Sequence, residues 1–137
     1  MEALLKRLKK HEGLRLKVYL CPAGYPTIGY GHRCNSDHPP ITEAEAEEYL
    51  RQDVYKASDQ YMRWKAKHGL KLSQIRDEVL VELLLWHGYR GFLGFKRMIA
   101  ALIARDYETA ADEMLDSDSG RKYFTRMYEL STLMRDG

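Results

Sequence analysis

Three side chains that can take part in acid–base chemistry lie near the N-terminus of the chain. Eight residues separate Glu12 from Cys21, and five separate Cys21 from Thr27. A carboxylic acid can donate a proton, and a hydroxyl group can both donate and accept a hydrogen bond. The three side chains are therefore candidates for one site, provided that the fold brings the thiol and the hydroxyl back toward the acid.

The local sequence predicts elements that would bring these side chains together. A helix is predicted over residues 2–11, followed by strands over residues 14–20 and 25–30 with a Pro/Gly turn between them. In the first strand leucine and valine alternate with polar residues, which is typical of a half-buried strand. Such a hairpin would fold the thiol and the hydroxyl back toward the acid.

The remainder of the chain is predicted to be helical. Thr42 and Glu45 have the spacing of a capping box, and the helix that they begin runs to about Lys67. Ser73 can cap the next helix, which is apolar on nearly all sides and so belongs in the centre of a core. The later helices are predicted at 74–87, about 95–105, 107–115 and 120–134, with Gly88, Gly91 and Gly94 in a tight connection.

Composition limits the classes of function. The 137 residues carry a net charge of +2, which is too small to indicate nucleic acid but suits an anionic polymer such as a cell wall. No apolar stretch is long enough to span a membrane. The first ten residues lack the pattern of a secretory signal, so we expect synthesis in the cytoplasm and free thiols at Cys21 and Cys34.

The histidines suggest neither a metal site nor a cofactor site. Their spacing from one another and from the cysteines is not that of metal ligands, and we predict no metal and no cofactor. Cys21 and His32 could form a thiol-hydrolase dyad, but Cys21 precedes a proline in a turn, not a helix. We expect His32 instead to fix the second strand by pairing with an acid such as Asp53.

The stretch HEGLRLKVYLCPAGYPTIGYG, residues 11–31, resembles the active-site region of the phage-type lysozymes, or endolysins, a family of glycoside hydrolases. The pattern of the family is Glu, eight residues, Asp, five residues, Thr. Cys21 stands at the position of the Asp, as it does in some relatives. Residues 41–54, 87–95 and 106–113 also resemble the family, whereas the segment between His32 and Ile41 is shorter than in its larger members.

This resemblance implies a fold and a domain organisation. The fold would be α+β and predominantly helical, lysozyme-like, with a small β-hairpin lobe near the N-terminus and a larger helical lobe. We expect one domain over residues 1–137. Its parts would be a small lobe at about 13–40, a bridging helix at about 43–67, and a helical lobe formed by about 1–12 and 70–137. Glu12 would then lie where a cleft separates the lobes.

The resemblance also implies an activity. A muramidase would hydrolyse the β-1,4 bond between N-acetylmuramic acid and N-acetylglucosamine in peptidoglycan, with inversion. Glu12 would be the general acid, kept protonated near neutral pH by partial burial and by the negative end of its helix dipole. Cys21 and Thr27 would position the water.

Cys21 is the main departure from the family pattern. A thiol with an ordinary pKa of about 8.5 is mostly neutral at pH 7, and an ionised Glu12 nearby would raise that pKa further. Cys21 would then be a weaker base than the family's carboxylate. Alternatively, Cys21 is a small buried apolar residue in a slow or inactive enzyme.

Other residues are expected to support the site, and the family suggests partners. Tyr30, Trp86 and Phe95 are candidates for stacking on sugars, and His32 and Arg126 for a supporting layer around the acid. We expect a monomer that binds bacterial peptidoglycan but neither nucleic acid nor, by stable insertion, a membrane. A phage lysozyme of this kind stays in the host cytoplasm until a holin opens the membrane.

Two alternatives remain open. A lytic transglycosylase uses one glutamate and no water and leaves a 1,6-anhydro product. The missing aspartate favours it, whereas Thr27 argues against it. A wall-binding protein with a lysozyme fold and little activity would have lost its base, although a disused site has no chemical reason to retain both Glu12 and Thr27.

Overall fold

The computed structural model describes residues 1–137 and contains seven helices and a three-stranded sheet. The elements are α1 Glu2–Glu12, β1 Arg15–Leu20, β2 Pro26–Gly29, β3 His32–Arg33, α2 Glu43–Lys67, α3 Gln74–Leu93, α4 Lys96–Ile103, α5 Tyr107–Leu115, α6 Asp118–Lys122 and α7 Phe124–Asp136. The predicted α+β, predominantly helical class is confirmed.

The chain divides into two compact units, Met1–Lys56 and Ala57–Gly137, with the boundary inside α2. The first unit holds α1, the sheet and the first part of α2. The second holds the end of α2 and all later helices. None of the helices combines the length and the apolar character needed to cross a lipid bilayer. The predicted division into a small lobe, a bridging helix and a helical lobe stays a prediction.

In the first unit, α1 is a short amphipathic helix that ends at the predicted acid. Leu4, Leu5 and Leu8 are buried, and basic residues fill the last turn, where they interact favourably with the negative end of the helix dipole. Gly13 ends the helix with φ +70°, and its N–H donates to Lys9 O at 3.0 Å.

The sheet is antiparallel in the order β1-β2-β3. Tyr19 pairs with Thr27 across β1 and β2, and Ile28 pairs with His32 across β2 and β3. The third strand was not predicted, because its two residues are too few to show an alternating pattern.

The predicted burial of the leucine face of β1 is wrong. Leu14, Leu16 and Leu20 are exposed by 37%, 43% and 67%. Alternation along a strand shows only which side chains share a face. A face is buried only when another layer covers it, and the leucine side of this small sheet is left largely uncovered.

The capping box at the start of α2 is confirmed. Thr42 Oγ1 accepts the N–H of Glu45 at 3.2 Å, and Glu45 Oε1 accepts the N–H of Thr42 at 3.0 Å. The helix also ends at Lys67 as predicted. Strand β2 lies close to its start, because a Cβ added to Gly29 would be 3.3 Å from Ala46 Cβ. This contact fixes β2 against α2 within the first unit.

In the second unit, α3 consists of two helical segments that meet at a kink. Ser73 caps it as predicted by accepting the N–H of Arg76 at 3.2 Å, and its middle is buried. The first segment ends where predicted, at residue 87, because the backbone leaves the helical conformation at Gly88, where φ is +74°. A second helical segment then runs to Leu93 in the region where a tight glycine-rich connection was expected.

The single helix predicted at 120–134 is two helices. Ser117 caps α6 by accepting the N–H of Gly120 at 2.9 Å, and the chain turns at Tyr123 before α7 begins. At the far end of α7, Arg76 Nε donates to Met134 O at 2.7 Å and Arg76 Nη2 donates to Arg135 O at 2.9 Å. These bonds satisfy carbonyl groups that a helix end leaves unpaired.

His87 should make the stability of the protein depend on pH. Burial lowers its pKa, and the positive charge of Arg126 adds to the effect. In the neutral ring Nδ1–H donates to Leu83 O at 2.9 Å, so Nε2 accepts the hydroxyl of Ser119 at 2.7 Å. Because the folded pKa lies below the unfolded value, His87 contributes stability above about pH 6.5, and this contribution is lost as pH falls.

We therefore expect the free energy of unfolding to decrease between about pH 7 and pH 5, and to decrease less in His87→Gln. The contribution of one group cannot exceed about 1.4 kcal/mol per pH unit. Urea unfolding at both pH values measures it, with His68→Gln, a change at an exposed histidine, as the control. Equal pH dependence in the parent protein and in His87→Gln would exclude His87 as the cause.

Candidate active site

Glu12 is the last residue of α1, and its side chain is half-buried against a glycine. A Cβ added to Gly31 would lie 2.8 Å from Glu12 Oε2 and 3.1 Å from its carboxyl carbon. Gly31 has φ +75° and forms the turn between β2 and β3. The turn therefore fits closely over the carboxyl group only because residue 31 has no side chain.

Cys21 directly follows β1 and begins the hairpin turn. Its N–H donates to Tyr25 O at 3.0 Å, and its carbonyl oxygen accepts the N–H of Gly24 at 2.8 Å. The turn is closed further by Arg33, whose guanidinium carbon lies 4.0 Å from the centroid of the Tyr25 ring. Cys21 and Cys34 are free thiols, as predicted.

The hairpin turn directs hydrogen-bond donors at the sulfur of Cys21. The pKa of the thiol is lowered, mainly by the main-chain N–H of Tyr25 and also by those of Ala23 and Gly24 and by the hydroxyl of Thr27. Desolvation opposes this effect without reversing it. The predicted upward shift caused by Glu12 is therefore wrong, because donors that favour the thiolate surround the sulfur.

Thr27 lies in β2, is 3% exposed and faces the sulfur of Cys21. Its hydroxyl donates to Tyr25 O at 2.8 Å. Because the hydroxyl has one proton, it can serve either this carbonyl or the thiolate at any moment, and its lone pairs can accept a bond from water. The structure thus brings together Cys21 and Thr27, the two predicted water-binding groups.

Tyr19 also belongs to this site, although it was not predicted as a site residue. Desolvation raises its pKa, the charges of Glu12 and Cys21 raise it further, and Arg15 opposes the shift. Tyr19 lies directly opposite Thr27 in the sheet, so these two side chains share one face, and Cys21 follows two residues later, just after β1 ends. The two-residue spacing between Tyr19 and Cys21 was the feature of the sequence that could have identified Tyr19. The neutral phenol is thus near both the acid and the thiol.

His32 lies on β3 and pairs with the acid that was expected to fix it. Its Nδ1 lies 2.8 Å from Asp53 Oδ2, which confirms the expected pairing, and its ring stacks on Tyr49 with a centroid distance of 4.4 Å. The ring is therefore held against α2. These contacts speak against the dyad of Cys21 and His32.

Residues 9–126 match the family of phage lysozymes. The chain belongs to the phage lysozyme family. The match includes Glu12, Cys21 and Thr27 and extends through both units. The helical fold with a small three-stranded sheet is accordingly the lysozyme-like fold that the resemblance implied.

Three relatives show how far the similarity extends. An endolysin of Salmonella phage P22 is 31% identical over 117 residues, which cover 81% of this chain and 77% of the relative. An endolysin of Acyrthosiphon pisum secondary endosymbiont phage 1 is 50% identical over 48 residues, which cover 34% of this chain and 33% of the relative. The pre-baseplate central spike protein Gp5 of Enterobacteria phage T4 is 26% identical over 145 residues, 84% of this chain but 24% of the spike protein.

Tyr30 does not offer the stacking surface that was predicted for this lysozyme-family chain. Its side chain is only 9% exposed, and Lys9 Nζ lies 5.7 Å from the centroid of its ring. A buried ring cannot stack on a sugar, so Tyr30 belongs to the core of the first unit.

Trp86, Phe95 and Arg126 belong to the second unit. The guanidinium carbon of Arg126 lies 4.1 Å from the centroid of the Trp86 ring, and its Nε and Nη2 both lie 3.3 Å from Glu82 Oε2. Glu82 is fully buried, so Arg126 is not a solvated surface residue. Phe95 meets the His87 ring edge-on at 5.0 Å.

Gly31→Ala should reduce activity much more than it reduces stability. A positive φ costs a residue with a side chain about 1–3 kcal/mol, and the added methyl group would displace the Glu12 carboxyl group. A misplacement of about 1 Å at an active site can lower the rate by about 10²-fold. Wall-lysis assays and thermal unfolding measure the two effects.

Gly69→Ala is the matched control for Gly31→Ala. Gly69 has φ +63°, but an added Cβ there would meet nothing within 4 Å. We expect Gly69→Ala to show a similar loss of stability with full activity. Comparable activity in the two variants would show that the packing of Gly31 on Glu12 is unimportant.

Proposed function

We propose that the protein is a muramidase that hydrolyses the β-1,4 bond between N-acetylmuramic acid and N-acetylglucosamine in peptidoglycan. The observation that carries the proposal is the placement of Cys21 and Thr27 beside each other in a member of the phage lysozyme family. Glu12 acts electrostatically on the same tyrosine as Cys21. The three groups therefore supply an acid and a water site to one reaction centre.

Glu12 would be the general acid. Glycoside hydrolysis requires a proton on the leaving oxygen as the bond to the anomeric carbon breaks. Gly31 fixes one side of the Glu12 carboxyl group, which favours a single orientation for proton donation. After the transfer Glu12 is a carboxylate, and it regains its proton from solvent.

Cys21 and Thr27 would hold and activate the water. Thr27 accepts one hydrogen bond from the water, and the thiolate of Cys21 takes the second proton as the water oxygen bonds to the anomeric carbon. The lowered pKa of Cys21 supports this role, because a larger fraction of the thiol is ionised near neutral pH. Attack on the face opposite the leaving group gives inversion.

The biological setting is also part of the proposal. Two relatives are endolysins of phages, which supports a role in lysis of a bacterial host. We infer that the protein acts as a monomer on the cell wall. It would be made in the host cytoplasm and reach the wall after a holin has permeabilised the membrane.

A lytic transglycosylase is the second candidate, because the chain lacks the family's aspartate. Such an enzyme has no use for a water site, and the proximity of Cys21 and Thr27 supports one instead. A protein that binds the wall without cleaving it is the third candidate, and it likewise leaves the ionisable thiol unexplained.

The reaction products distinguish these candidates. Purified sacculi are incubated with the protein, and the released muropeptides are examined by mass spectrometry with and without borohydride reduction. We expect new reducing N-acetylmuramic acid ends. Anhydro ends would establish the transglycosylase, and binding without release of muropeptides would establish the non-catalytic alternative.

A further inference from the structure

An exposed group of aromatic side chains lies at the start of α7. Tyr123, Phe124 and Tyr128 are exposed by 41%, 57% and 53%, and we call these three residues the aromatic platform. Single exposed aromatic residues are common, but neighbouring ones form a contiguous apolar surface of the kind that binds ligands or partners. No role in the proposed chemistry accounts for this platform.

Two rings of the platform, those of Phe124 and Tyr128, lie close together at a small tilt. Phe124 and Tyr128 are one helical turn apart, with ring centroids separated by 5.6 Å and planes inclined by only 32°. Residues four apart lie on one face of a helix, so both rings are available on the same side of α7. Two neighbouring rings of this kind can receive the flat C–H faces of adjacent pyranose units.

Buried contacts hold the platform in place. The Tyr123 ring meets the Trp86 ring at 5.7 Å and 68°. Trp86 is covered in turn by Arg126, which is paired with the fully buried Glu82. Tyr123 therefore anchors the start of α7 to the second unit, so the helix that carries Phe124 and Tyr128 is fixed before a ligand binds.

One cation lies at the edge of the platform. The basic residues Arg121, Lys122 and Arg126 flank the platform, as do the acidic residues Asp116, Asp118 and Glu129. Arg121 pairs with Asp116 and Asp118, and Arg126 pairs with Glu82, whereas Lys122 Nζ lies over the Tyr123 ring at 5.4 Å. A cation at the edge of the rings would attract the carboxylates of muramic acid and its stem peptides.

We propose that the aromatic platform binds a glycan strand of peptidoglycan, with pyranose rings stacked on Phe124 and Tyr128 and a carboxylate near Lys122. The inference rests on the proposed function. Tyrosine hydroxyls and the neighbouring Thr125 and Glu129 make this part of α7 polar around its rings. That character favours a hydrated polysaccharide over an anionic lipid surface or a second copy of the chain.

Binding to purified sacculi tests the platform. The full chain carrying Glu12→Gln is used so that the wall is not consumed during the measurement. In this background Phe124→Ala with Tyr128→Ala should weaken binding at least about tenfold. Phe124→Tyr with Tyr128→Phe, which keeps both rings, should restore it, and Tyr55→Ala, at a residue 74% exposed on α2, should leave it unchanged.

The same variants separate this inference from its alternatives. Unchanged binding in a folded alanine pair would overturn it. The inference would also be overturned if the alanine pair bound sacculi normally but no longer bound phosphatidylglycerol vesicles. The same conclusion would follow if the alanine pair bound sacculi normally but no longer dimerised in sedimentation. Chitotetraose, a soluble glycan, should quench the fluorescence of the parent protein more strongly than that of the alanine pair.

The two proposals can fail independently. Ring-dependent binding without any release of muropeptides by the unmodified protein would refute the muramidase and retain the platform. Release of reducing ends combined with ring-independent binding would retain the muramidase and refute the platform.

Discussion

Replacing Glu12 by glutamine is expected to lower kcat by about 10²–10⁴-fold, with little change in KM or in thermal stability. The amide has nearly the shape of the carboxyl group, so its packing on Gly31 is preserved. It cannot, however, give a proton to the leaving oxygen. Turnover of soluble wall fragments measures kcat and KM, and circular dichroism checks the fold.

Glu2→Gln is the control for this variant because Glu2 lies on the same helix with 84% of its side chain exposed. It should retain full activity. Glu12→Asp keeps an acid but withdraws it by one methylene group, so we expect activity between that of the parent and that of Glu12→Gln. If Glu12→Gln kept more than a tenth of the parent activity, another residue would have to supply the proton.

Much of the site could be predicted from the spacing of residues, because the site depends on local geometry. A helix that ends at Gly13 and a hairpin that turns after Cys21 are both encoded within a few residues, and the structure contains both. Asp53 could also be predicted as the partner of His32. The capping box gives the start of α2 and so places Asp53 on this helix. Such features require only periodicity, caps and turns.

Other features of the site depend on contacts that residue types do not reveal. The thiol pKa was predicted to rise because only the charge of Glu12 was considered, whereas main-chain N–H groups of the turn lower it. Their direction depends on the backbone of residues 21–25 and not on the side chains. Similarly, Gly31 was recognised as part of a motif, but its contact with Glu12 follows from a turn between β2 and an unpredicted strand.

The burial of whole faces could not be predicted from residue types either. The alternation in β1 predicted a buried leucine face but did not show that this face lacks a covering layer. Aromatic residues show the same limit, since an aromatic side chain is equally compatible with a core and with a binding surface. Tyr30 is buried, whereas the rings at the start of α7 are exposed. Only the packing of the folded chain distinguishes these possibilities.

Cys21→Ser is expected to lower the rate by about 10²-fold or more, because a hydroxyl group does not ionise near neutral pH and cannot take the proton of the water. Cys21→Asp should be at least as active as the parent. The activity of the parent should rise with pH as the thiol ionises. This rise should occur below the pH at which an ordinary thiol ionises, because the pKa of Cys21 is lowered. An aspartate ionises near pH 4, so the rise should move to lower pH in Cys21→Asp.

Alkylation provides an independent measurement of the same thiol. Iodoacetamide reacts with thiolates, so Cys21 should be modified before Cys34, whose pKa is raised by desolvation. Loss of activity should follow modification of Cys21, as read by peptide mass spectrometry, and should proceed at the same rate in Cys34→Ser. Full activity with Cys21 alkylated, or with serine in its place, would show that the water is activated without the thiol. Thr27 and solvent would then be left to take the proton, a role for which the low ionisation of a hydroxyl group makes Thr27 poorly suited.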